Sequence, residues 1–90
     1  MDVKNKNENK RIQQGNQTLF KSMLYTMNAI DTARKNYEFA EEELIDYYLY
    51  EIKANQSKLN YLIKHFKRNG VELDRIKKIE MMYLDENEVV

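Results

Sequence analysis

Ninety residues with no cysteine, no proline, a lone histidine and a formal charge of zero allow one small domain and exclude disulfide staples, thiol chemistry and a His/Cys zinc site. The 15 basic and 15 acidic residues cancel, so no global field steers the chain toward nucleic acid or anionic lipid. No run approaches the roughly 18 apolar residues of a membrane span, and the start MDVKNKNENKRIQQGNQ lacks the apolar stretch of a signal peptide, so a cytoplasmic location is expected. A chain this short buries a modest fraction of its surface, which makes self-association a natural source of extra stability.

Residues 1–15 are rich in Asn, Lys and Gln. They carry too little apolar surface to offset the entropy of ordering, and a disordered tail ending at Gly15 is expected. From there Leu19, Phe20, Met23, Met27 and Ile30 recur at steps of three and four, the spacing of one helical face. Asn16 or Thr18 is positioned to cap the start. Arg34 and Lys35 suit the negative end of a helix dipole. A first helix over about 17–36 follows.

NYEFAEEE interrupts this pattern: the apolar face changes phase near Tyr37, and Glu41, Glu42 and Glu43 lie where a helix N-terminus favours negative charge. The competing reading is one unbroken helix through 37–41. A second helix is expected over about 42–69, stopped by Gly70 and sealed by an apolar contact from Val71. Beyond it, Leu73, Ile76, Ile79 and Tyr83 form a short third stripe, with Asp74 as its cap, over about 74–84. DENEVV, residues 85–90, reads as frayed. The expected fold is all-α: an antiparallel helical hairpin with a short third helix, forming a single domain over 16–84.

The second helix has three faces at 100° per residue. Leu44, Ile45, Tyr48, Ile52, Leu59, Leu62, Ile63 and Phe66 make the seam for the first helix. Asn55 falls inside it, where a polar side chain fixes register or meets water at a gap. Lys53, Ser57, Asn60, Lys64 and Lys67 make a solvated face. Tyr47, Tyr50, Ala54 and Tyr61 line a third strip. A helix apolar on two sides has two neighbours; the second is either the third helix folding back or another molecule. Tyrosine suits such an interface, with its large area and polar tip. The expected lengths, about 30 Å for the first helix and about 42 Å for the second, leave an overhang on the second that a dimer would cover.

An enzyme is not expected. His65 has cationic helix neighbours and no cysteine partner, so it reads as a surface residue. The carboxylates Glu41, Glu42, Glu43 and Asp46 lack the Glu-x-x-His spacing of di-metal bundles. The two glycines stand far apart, so no phosphate-cradling loop exists. Neither a cofactor, a metal nor a small-molecule substrate is implied. The rival reading is nucleic-acid binding by Lys53, Lys58, Lys64, Lys67 and Arg68, with Tyr61 interleaved for stacking. Zero net charge and the acidic first half of the same helix make it the weaker of the two. The reading favoured by the residues is a coiled-coil-like module that binds itself, as a homo-oligomer, or another protein through Tyr47, Tyr50, Ala54 and Tyr61.

The stretch from Phe39 through LIDYYLYEIKAN to YLIKHFKRNGV resembles the YaaL-like family of small uncharacterised bacterial proteins. The matching positions are Phe39, Leu44, Ile45, Asp46, Tyr50, Glu51, Ile52, Lys53, Ala54, Tyr61, Lys67 and Gly70. The likeness spans about 19–71. Glu42 and Glu43 stand where a proline would be usual, and Tyr48 where a smaller residue would. The resemblance implies a small cytoplasmic helical protein with no assigned activity.

Overall fold

A computed structural model describes residues 3–70 and 73–84. Three helices follow one another: α1 (Val3–Glu38), α2 (Ile45–Arg68) and α3 (Leu73–Tyr83), with a 3-10 turn at Glu42–Leu44 before α2. No helix among the described residues is long and apolar enough to cross a membrane. The hairpin with a short third helix is as the periodicity indicates. Val71 and the segment 85–90 lie outside the described residues, so their expected roles have no structural counterpart.

α1 departs most from the expected bounds. It begins at Val3 and not near 17, so residues 3–15, expected to be disordered, lie in helix. The segment has few apolar residues but also no proline, and Lys, Glu, Gln and Arg are good helix formers. Gly15 is an interior helical residue, not a stop. Asn16 therefore caps nothing; it accepts a hydrogen bond from Asn69 Nδ2 at 2.8 Å, tying the interior of α1 to the C-terminal end of α2. At 36 residues against 24, α1 is the longer helix by about 18 Å. The expected overhang of the second helix is reversed, and the length argument for a covering dimer falls with it.

The break between α1 and α2 is real. α1 stops at Glu38, Ala40 N–H donates to the Tyr37 carbonyl at 3.3 Å, and Leu44 N–H donates to the Glu41 carbonyl at 2.8 Å. Glu42 and Glu43 occupy the first turn after the break, where the exposed amides favour anions. At the far end Asn69 and Gly70 donate to the carbonyls of Phe66 and Lys67, each at 3.1 Å. Gly70 has φ +77°, the left-handed conformation that ends a helix at least cost without a Cβ. His65, Lys67 and Arg68 in the last turn complement the dipole there.

The core is one cluster: Met23, Met27 and Ile30 from α1, Leu59, Leu62, Ile63 and Phe66 from α2, and Ile76 and Tyr83 from α3. Leu19, Ile79 and Leu84 pack against its edge. Thr26 and Ala33 are also buried, at 1% exposure each. The Thr26 hydroxyl donates to the Ser22 carbonyl of its own helix at 2.7 Å, which removes the cost of burying it. The expected seam needs one correction: Leu44 is 46% exposed. It ends the 3-10 turn, so the helical phase that would turn it inward has not yet begun. Ile45 and Tyr48 are half-buried. Asn55 is half-buried in the seam, and its Nδ2 donates to the Glu51 carbonyl one turn back at 2.8 Å, so this amide nitrogen is satisfied within its own helix.

α3 sits across both long helices, and polar contacts hold its C-terminal end. The last carbonyls of a helix lack intrahelical donors. Here Arg34 Nη1 donates to the Met82 carbonyl at 3.0 Å and Gln56 Nε2 to the Tyr83 carbonyl at 2.8 Å. The Tyr83 hydroxyl donates to Asp31 Oδ2 at 3.0 Å, and the Arg34 guanidinium lies 5.7 Å from the Tyr83 ring centroid. An ion pair between Lys67 and Glu80 at 3.1 Å joins α3 to α2.

Candidate functional site

The α2 side chains that hold α3 fix which side of α2 remains uncovered. Gln56 and Lys67 contact α3. At 100° per residue, Gln56 projects about 160° away from Ala54, and Lys67 about 120° away from Tyr61. The Tyr47, Tyr50, Ala54 and Tyr61 strip therefore faces away from α3. Of the two neighbours considered for it, the third helix is excluded over the described residues. Tyr47, Tyr50 and Tyr61 are 54%, 75% and 61% exposed, and Ala54 is exposed between them.

The exposed rings are positioned by their own helix. Tyr47 packs edge-on against Tyr48 with centroids 5.1 Å apart, and Tyr48 is itself half-buried toward the seam. A hydrogen bond to Glu51, one turn on, raises the Tyr47 hydroxyl above its ordinary pKa, and the Glu51 charge adds to the effect. Tyr61 meets the His65 ring edge-on at 4.6 Å. Both supports follow the i, i+4 spacing that brings helix side chains together. Glu51 and His65 join this surface although the apolar strip does not include them; the signal is the acid four residues after Tyr47 and the imidazole four residues after Tyr61. A shallow depression lined by Asp46, Leu49, Tyr50 and Lys53 borders the strip.

The basic residues are less coherent. Lys53, Lys58, Lys64, Lys67 and Arg68 are all exposed. Lys53, Lys64 and Arg68 fall within about 60° of one another around the helix, whereas Lys58 points about 140° from Lys53. Lys67 is engaged by Glu80. The stretch that reads as one basic run is thus divided between two sides of α2 and a contact to α3.

Among the described residues no three His, Asp or Glu side chains converge to hold a metal ion. Glu41, Glu42, Glu43 and Asp46 are exposed around the turn, and every buried side-chain nitrogen or oxygen among the described residues has a hydrogen-bond partner.

No family model, curated protein or solved structure matches the chain.

Proposed function

We propose that this chain is a protein-interaction module whose docking surface is the Tyr47, Tyr50, Ala54 and Tyr61 face of α2. The observation that carries the reading is the placement of three large exposed rings on the side of α2 turned away from α3. Isolated exposed aromatics are ordinary, but tyrosines aligned along one helix face match the composition of interface cores. They offer area and a polar tip with little side-chain entropy to lose. The likeness of Phe39–Gly70 to the YaaL-like proteins includes Tyr50, Ala54 and Tyr61 and transfers no catalytic residue. A cytoplasmic setting agrees with a chain lacking cysteine.

Nucleic-acid binding through Lys53–Arg68 is the second reading, and the divergence of Lys58 and the engagement of Lys67 weigh against it. The test is the double substitution Tyr50→Ser, Tyr61→Ser in the full chain. Solution mass or crosslinked partners should change while the helical circular dichroism remains. Unchanged mass and partners would remove the basis for the reading. Low-salt gel shifts with single- and double-stranded probes decide the second reading.

A further inference from the structure

We propose that the occupant of the tyrosine face is a second copy of this chain, laid antiparallel across a twofold axis at Ala54; this rests on the reading above. Tyr47 and Tyr61 stand seven residues to either side of Ala54, about 10 Å each way along the helix. Seven-residue spacing is the period that keeps a seam facing a partner helix. A twofold axis perpendicular to α2 at Ala54 sets Tyr47 of each copy opposite Tyr61 of the other. The small side chain at the crossing point allows the helices to approach closely.

Charge selects this direction. Residues 36–52 contain acids and no Lys or Arg, whereas residues 53–71 contain bases and no Asp or Glu. An antiparallel pair opposes these halves, while a parallel pair stacks like on like. The pairing extends to single residues. Glu51 and Lys58 lie three residues before and four after Ala54, about 60° and about 40° to the same side of it. Rotation about the twofold axis keeps each flank on its own side and reverses position along the helix. Glu51 of one copy therefore meets Lys58 of the other, twice per dimer. The Glu41–Glu43 turn then lies beside the other copy's His65–Arg68 end.

Sedimentation equilibrium of the full chain tests this with Glu51→Lys, Lys58→Glu and their equimolar mixture, helicity being checked for each. The wild type should sediment at twice the chain mass of 10.9 kDa. Each single reversal places like charges at both pairs and should weaken association about tenfold. The mixture restores both pairs in the heterodimer and should recover wild-type affinity. A wild type that remains a single chain at millimolar concentration overturns the proposal, as does a mixture no tighter than its components. If Tyr50→Ser, Tyr61→Ser still dissociates the wild-type dimer while the mixture fails to recover, the docking face stands and only the antiparallel arrangement falls. If that double variant leaves the dimer intact, the face itself is wrong.

Discussion

Tyr83 anchors α3 through its ring, its hydroxyl and its carbonyl, touching Arg34, Asp31 and Gln56. Tyr83→Phe keeps the ring but leaves Asp31 without its donor, and should lower the unfolding free energy in urea by about 1 kcal/mol. Burial raises the Tyr83 hydroxyl above the ordinary tyrosine pKa of 10.0, and the Asp31 hydrogen bond and charge add to the rise. The folded chain therefore holds this proton where the unfolded chain has released it. The associated stability is complete below pH 10 and declines as pH climbs through the folded pKa; Tyr83→Phe should flatten that decline in denaturation measured across alkaline pH. Two further substitutions separate core from surface. Leu59→Ala empties a fully buried site and should cost about 2–5 kcal/mol. Tyr50→Ser, on an exposed ring, should stay within about 0.5 kcal/mol for the monomer. Apolar spacing identifies Met23, Ile30, Leu59, Ile63 and Ile76 as interior. It passes over Thr26 and Ala33 because small or polar side chains carry little hydrophobic signal, although their positions on α1 face inward.

Each helix boundary had a different visibility. The stop at Gly70 was legible because only glycine accepts φ +77° cheaply. An added Cβ there would meet no atom within 4 Å, so Gly70→Ala tests backbone strain alone. It should cost about 1 kcal/mol in thermal or urea unfolding. The break after Glu38 was legible as a change of phase, without proline or glycine to mark it. The start of α1 was not. Reading disorder from low apolar content ignores that Lys, Gln and Glu are intrinsically helical, and a helix already nucleated extends at low cost through such residues. Leu44 misled for the opposite reason: it fits the apolar wheel of α2, but lies in the preceding 3-10 turn.

The bundle has a layered logic and a polar axis. α1, α2 and α3 share one cluster of apolar side chains, and α3 takes one side of α2, leaving the tyrosine strip on the other. The strip was visible in the sequence as a second apolar sector, but the sequence did not decide what covered it. That depended on where α3 docks, which Gln56, Arg34 and Asp31 determine through contacts 27 to 52 residues away along the chain. Acids gather on the α1–α2 turn and the start of α2, while bases occupy the rest of α2. Association through opposed halves should weaken with added salt, since Lys58 is solvent-exposed and Glu51 only partly buried. The measurement that bears most directly on these claims is the solution mass of the full chain beside its Tyr50→Ser, Tyr61→Ser variant, from micromolar to millimolar concentration. A wild-type mass of two chains that falls to one in the variant, with helicity retained, is the predicted result. A wild type that remains a single chain throughout, or a dimer indifferent to both substitutions, would contradict it.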